Sequence, residues 1–258
     1  MPELVFVEGV SGVGKSTMVK LLTQDLRAQG YAVRGYVEFD YTNPIDFYCT
    51  AYFPIEQYEK LCEDHPSSAD SIRTNTVYAG EARLVRYYDE DTPLFEEPLL
   101  SKLTRREFCY KPEYLIPLEQ YTSAYREVYR RWASELDETY DFILFDGSLL
   151  HHPINDMMRN YGIDGEGAIS HIRALLDSLG SIKRHIFYLK TDNLRNQLAR
   201  AHLDRGQGTP TEEQYAFWEK RYQNDSIVLQ NIQEEYEICD ISAGNWESVR
   251  KQILHRLT

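Results

Sequence analysis

Eight residues constrain this chain more than any other stretch: Gly9-Val-Ser-Gly-Val-Gly-Lys-Ser16, which reads G-x-x-x-x-G-K-S. A short apolar run, Leu4-Val-Phe-Val7, precedes it and reads as a buried strand. From Thr17 to Leu26, the apolar residues Met18, Leu21, Leu22 and Leu26 recur at helical spacing. Strand, glycine-rich turn and helix in that order is the context in which this pattern forms a phosphate-binding loop. The glycines let the backbone turn so that successive N–H groups point at phosphate oxygens. The new helix adds its unpaired amides and the positive end of its dipole. Gly9, Ser11, Gly12, Val13, Gly14, Lys15, Ser16 and Thr17 are therefore the candidate nucleotide-binding residues. Lys15 can reach the β- and γ-phosphates as a mobile charge, and the Ser16 hydroxyl can ligate Mg²⁺. A nucleoside triphosphate with its metal, ATP and Mg²⁺, is the expected ligand.

The rest of the chain alternates strands with helices. Tyr31 to Glu38 reads as a second strand, closed off from the first helix by Gly30. Ile116 to Leu136 reads as a long helix, with Tyr121, Tyr125, Tyr129 and Trp132 mostly four apart as a core stripe. Asp141-Phe-Ile-Leu-Phe-Asp146 reads as a buried parallel strand. Further strands are predicted at Arg184 to Leu189 and Tyr236 to Ile241. Helices are predicted after Gly147, over Gly165 to Leu179, Asp192 to Arg205 and Glu212 to Glu234, and from Trp246 to Leu257. This alternation predicts an α/β three-layer sandwich, a parallel sheet with helices on both faces. One domain over residues 1–258 is expected, with 47–115 as an inserted, substrate-facing or lid-like region. That stretch is rich in Tyr, Glu and Pro and shows little periodicity, yet is too long for a plain loop.

Composition narrows the partners. A hydrophobic share of 42% supports a real core, and the formal charge of −13 would repel polyanions. A nucleic acid polymer is therefore not an expected partner. No apolar stretch approaches membrane-spanning length. Cys49, Cys62, Cys109 and Cys239 form no C-x-x-C pair, and the first apolar run is too short for a signal peptide. The expectation is reduced thiols in a cytoplasmic protein that acts on a small molecule.

Several side chains are placed to carry chemistry around the loop. Asp146, at the end of its strand, can hold the Mg²⁺ shell or contact substrate. Glu38 and Asp40 follow the second strand, and in an extended segment they would face one side and line one pocket. Asp40 is the first candidate to orient an acceptor hydroxyl and take its proton, with Glu38 as the competitor and co-lining residue. Arg195, Arg200 and Arg205 lie five apart, so they share no strict helix face; Arg200 and Arg205 are the better candidates to neutralise charge on a transferring phosphoryl group. Arg83, Arg86, Arg105 and Arg106 could meet an anionic group of a substrate. His151-His152-Pro153 invites a metal reading, but neighbouring histidines point apart and no third ligand stands at metal-site spacing. The pair is read as structural.

At three places the chain resembles the P-loop kinase group that includes nucleotide, deoxynucleoside and gluconate kinases. Val7 to Thr17, V-E-G-V-S-G-V-G-K-S-T, looks most like thymidylate kinase-type loops. Glu38-Phe-Asp-Tyr-Thr-Asn-Pro44 is similar to the G-D-x-x-H-P segment of gluconate kinase-like enzymes, with Phe39 in place of Gly and Asn43 in place of His. Tyr188-Leu-Lys and the segment Arg195 to Arg205 look like a lid. The D-R-S and D-R-Y patterns of the nucleoside and thymidylate enzymes are replaced by Asp146-Gly-Ser. The resemblance implies an ATP- and Mg²⁺-dependent phosphotransferase in which Asp40 handles the acceptor, Arg200 and Arg205 clamp ATP, and the 242–245 turn flanks the adenine. The other reading is a regulatory NTPase that switches binding to a protein partner. No N-K-x-D guanine motif supports a GTPase.

Overall fold

A computed structural model gives the structure of residues 1–110 and 112–258. From the N-terminus, β1 (Glu3–Glu8) enters the phosphate loop, α1 (Lys15–Ala28) leaves it, and β2 (Val33–Tyr36) follows. A second group of elements comes next: β3 (Thr50–Pro54), α2 (Ile55–Asp64), α3 (Ala69–Thr74), β4 (Thr76–Ala79), β5 (Ala82–Arg86), the short pair β6 (Tyr88–Asp89) and β7 (Thr92–Pro93), and α4 (Leu99–Thr104). The chain then runs through α5 (Leu118–Ser134), β8 (Phe142–Asp146), α6 (His151–Tyr161), α7 (Gly165–Ser178) and β9 (Arg184–Lys190). It ends with α8 (Leu194–Asp204), α9 (Glu212–Asn231), β10 (Glu237–Asp240) and α10 (Trp246–Leu257).

The main sheet has the order β10-β9-β1-β8-β2, and every pairing in it is parallel. The middles of β1, β8 and β9 are apolar because both faces are covered there, whereas the edge strands β2 and β10 carry Arg34, Glu237 and Asp240. Leu4 and Phe6 of β1, Ile143 and Phe145 of β8, and Ile186 and Tyr188 of β9 pack into one cluster with α5 and α7. Val5 and Val7, Phe142 and Leu144, and Phe187 and Leu189 pack into the other with α1 and α10. The period-2 switch between the two clusters makes the chain an α/β three-layer sandwich, as the alternation of elements predicts. No helix among the described residues is long and apolar enough to cross a membrane.

The segment with little periodicity builds a three-stranded antiparallel sheet of order β3-β5-β4. Its strands β3 and β5 are largely buried on both faces as well, which explains why no amphipathic alternation is visible in their sequence. Tyr52 and Leu84 point into the main core beside α5. Ala51, Phe53 and Val85 point the other way, onto Tyr58 and Leu61 of α2, Ile72 of α3, and Leu99 and Leu103 of α4. Tyr78 to Tyr88, readable in sequence as strand or helix, is strand. Lys111, inside the 47–115 stretch, lies outside the described residues. The tyrosine stripe of α5 is core: Tyr121, Tyr125 and Tyr129 are all buried, and Phe108 packs on the first two at 5.2 and 5.3 Å between ring centroids.

Candidate active site

Register brings the chemistry to one edge. Val7 of β1 stands opposite Asp146 of β8, and the Gly147 amide donates to the Val7 carbonyl at 3.0 Å. The loop after β1 and the loop after β8 therefore open on the same side of the sheet, the edge where parallel α/β sheets place ligands. A cavity of about 420 Å³ lies there, floored by Ser11, Gly12, Gly14, Lys15, Ser16 and Thr17.

The loop holds the shape that the motif predicts. Gly12 and Gly14 have φ of +80° and +86°, the left-handed region that side chains disfavour. A Cβ on Gly14 would stand 2.4 Å from the Trp246 ring, so this turn is closed by close packing as well as by dihedrals. Val13 turns its side chain into the core, leaving only its backbone to the loop. Lys15 is buried at 7% exposure and its Nζ donates to the Val10 carbonyl at 3.1 Å. Burial pushes its pKa down, and the charges of Asp146, Glu38 and Glu8 oppose that. A glycine-lined cradle of this form, with an ammonium inside it, fits a polyphosphate. Ser16 and Asp146 offer the hard oxygen donors that suit Mg²⁺.

Of the two acids after β2, the structure brings only Glu38 into the cavity. The same-side expectation for Glu38 and Asp40 rests on extended backbone, and the backbone is not extended there. Phe39 has a φ of +66°, which turns Asp40 away. The Asp40 carboxylate accepts from the Thr42 amide at 2.9 Å and the Thr42 hydroxyl at 2.6 Å, and lies 3.6 Å from Arg34. It closes a local turn of the Asx kind. The Glu38 amide, in contrast, donates to the Asp146 carboxylate at 3.3 Å, which links the end of β2 to the end of β8.

Helix α8 supplies the cavity's far wall. Gln197, Arg200, Ala201, Asp204 and Arg205 line it, a spacing of three and four residues that is one helix face. Gln197 donates to the Gly12 carbonyl at 3.1 Å, and Arg205 reaches the Ser11 hydroxyl at 3.5 Å. Arg195 lies off this face; it pairs with Glu219 at 2.7 Å and Glu212 at 3.0 Å. Ser242 is engaged with the Asp192 amide, and from the turn expected to flank the base it is the next residue, Trp246 at the start of α10, that reaches the cavity. Arg83 and Arg86 donate to nearby carbonyls and Arg106 to Gln57, so the four arginines of the 83–106 stretch do not converge on this cavity.

Two functional features escaped sequence reasoning. Glu8 is fully buried and accepts from the Leu149 and His151 amides at 2.9 and 3.0 Å, fastening the start of α6 beside the loop. Burial raises its pKa to about 7 against those amide bonds. The only signal was an acid directly before Gly9. The second is His152, whose Nδ1 lies 3.1 Å from Asp46 with both side chains buried. Burial alone would lower its pKa, but the charges of Asp46, Glu38 and Asp146 hold it up at about 9. Asp46 moves down in return, despite its burial.

That pair sets a pH dependence. A histidine raised from 6.5 to about 9 on folding stabilises the fold fully below pH 6.5 and loses that contribution as pH rises through 9. Thermal unfolding of the wild type should show a falling midpoint between those limits. His152→Gln should flatten that slope. An equally steep slope in the variant would assign the titration to another group.

No family model matches this chain, and no curated protein matches it. Among solved structures the chain is similar to thymidylate kinase from Candida albicans, at 12% identity and a TM-score of 0.49, over 99% of this chain and 91% of that one. It is also similar to a gluconokinase from Sinorhizobium meliloti 1021, at 15% identity and a TM-score of 0.36, again over 99% and 91% of the two chains.

Proposed function

We propose that this protein is an ATP- and Mg²⁺-dependent phosphotransferase acting on a small hydroxylated or phosphorylated acceptor, such as a nucleoside, a nucleotide or a sugar-like compound. The observation that carries the reading is the meeting of three groups in one cavity: the loop lysine Lys15, the arginines Arg200 and Arg205 of α8, and the carboxylate-bearing Glu38. A hydrolytic switch needs the loop, but it has no need of an acid placed to receive an alcohol.

In this reading the loop amides and Lys15 hold the triphosphate, and Gln197 and Arg205 keep α8 seated on the loop. Ser16 and Asp146 would hold Mg²⁺, which would supply positive charge to the triphosphate. Glu38 accepts a hydrogen bond from the acceptor hydroxyl and takes its proton. The hydroxyl oxygen forms its bond to the γ-phosphorus as the bridging oxygen–phosphorus bond breaks, and ADP keeps that electron pair. Arg200 and Arg205 meet the charge that spreads over the transferring group. Beyond His152 the rings of Tyr110 and Tyr48 follow in turn, at 6.0 Å from His152 to Tyr110 and 5.1 Å from Tyr110 to Tyr48, and in this reading the acceptor lies toward them. Among the described residues the Tyr110 hydroxyl is buried without a partner, which suits a hydrogen-bonding acceptor. On this reading the 47–115 stretch is a substrate-facing insertion.

The test is ATP consumption with Mg²⁺ across a panel of nucleosides, nucleotides, sugars and amino sugars. One class should stimulate turnover. Glu38→Gln should cut that stimulated rate by about a hundredfold or more while ATP still binds. Asp40→Asn, which alters only a surface turn, should stay within a few-fold of wild type. Slow hydrolysis indifferent to every compound and to Glu38→Gln would sink the transferase reading in favour of a nucleotide switch.

A further inference from the structure

Adjacent residues on a helix diverge by about 100°, which is why His151-His152 reads as structural in sequence. At the first turn of α6 the two rings nevertheless stand 5.5 Å apart between centroids. One nitrogen of each, and one carboxylate oxygen of Glu38, lie within 4.8 Å of one another. Both histidines are buried, at 5% and 6% exposure. The third ligand that the sequence lacked comes from the end of β2, through the turn that also swings Asp40 away.

The surroundings match a metal site more closely than a packed polar core. Histidines that bind metals usually anchor the far ring nitrogen on a carbonyl or carboxylate, which fixes the tautomer and strengthens the ligating nitrogen. Both rings have such an oxygen beside Nδ1. His151 Nδ1 lies 3.0 Å from the Gly9 carbonyl, and His152 Nδ1 lies 3.1 Å from Asp46. Among the described residues neither ring nitrogen of His152 has a hydrogen-bond partner: Nδ1 faces Asp46 as an ion pair, and Nε2 is left open to a ligand. His151 Nε2 has only the Asn155 side-chain amide, at 3.3 Å. We propose that Glu38, His151 and His152 form a binding site for a divalent transition metal such as zinc, with Gly9 and Asp46 as its outer shell.

Two imidazoles and one carboxylate are a familiar donor set for such ions, with positions left over for water or substrate. Occupation uses the carboxylate that the proposed transfer needs, so metal and acceptor compete for Glu38.

The experiment titrates untagged full-length protein with Co²⁺ in excess Mg²⁺, following the visible ligand-field bands and then displacing cobalt with Zn²⁺. One equivalent should bind, with no thiolate-to-cobalt band from the four cysteines. Glu38→Gln and His152→Asn should weaken binding by tenfold or more, and Asp46→Asn by about ten- to a hundredfold. Asp40→Asn should leave it unchanged. Absence of saturable binding, a thiolate band, or wild-type affinity in Glu38→Gln would each overturn the proposal. If His152→Asn fails to fold, Glu38→Gln decides alone, since that side chain is only half-buried. None of these readouts depends on turnover, so they stand whether or not the transferase reading survives.

Discussion

Lys15→Met is expected to leave a folded protein that still binds ATP weakly and whose ATP-dependent turnover falls about a thousandfold. The stem of Lys15 is packed and its ammonium donates to the Val10 carbonyl, so an unbranched apolar replacement keeps the volume and loses one hydrogen bond. The loop amides remain, because they are fixed by the positive φ of Gly12 and Gly14 and by the seat of Trp246. What is lost is the one mobile charge among them. Lys15 is buried and feels the charges of Asp146, Glu38 and Glu8, so its removal also takes away the cation that offsets these acids beside the phosphate loop. Rapid-quench or coupled turnover assays beside a nucleotide-binding titration separate the two effects. A variant with rate within tenfold of wild type would show that the lysine is not the group that handles the γ-phosphate.

Arg221→Met is expected to cost about 3–5 kcal/mol of folding stability, the range for removing one partner of a buried ion pair. Arg221 and Asp225 lie one turn apart on α9 with no exposure at all, joined at 2.5 Å. The guanidinium also donates to the Leu150 carbonyl at 2.9 Å, and Asp225 accepts from the Tyr188 hydroxyl at 2.7 Å. One pair thus ties α9 to β9 and to the loop that leads into α6. Without the arginine, Asp225 is a buried carboxylate with only Tyr188 to satisfy it. Urea unfolding should show a lower midpoint at unchanged slope. Arg221→Met combined with Asp225→Leu should recover much of the loss, since an apolar pair of similar volume is often no less stable than the ions. A single-variant loss under about 1 kcal/mol would mean that water reaches the pair.

The sheet was legible because its evidence is local. The central strands β1, β8 and β9 each hold a short apolar run of four residues or more between polar ends. The phosphate loop was legible for the same reason: eight consecutive residues carry the turn, the lysine and the hydroxyl. The 47–115 stretch was opaque because β3 and β5 are largely buried on both faces, so they show no alternation, and the six-residue helices α3 and α4 each bury only two residues. The α8 arginines were half legible. Arg200 and Arg205 were singled out, but the face they share with Gln197 and Ala201 was obscured by grouping them with Arg195, which belongs to a surface ion network.

Outside the 47–115 stretch, local signals suffice for the order of strands and helices, the place of the glycine-rich loop and the acid at the end of β8, because helix and strand periods and glycine dihedrals act over a few residues. The sequence ranks Asp40 ahead of Glu38, because no local pattern shows the positive φ at Phe39 that leaves only Glu38 lining the cavity. Nor could it show that Glu38 meets His151 and His152, or that Glu8 anchors α6. Those meetings depend on the register of β1 against β8 and on how α6 leaves the sheet. Contacts between residues far apart in the chain are set by packing, and only the tertiary structure decides them.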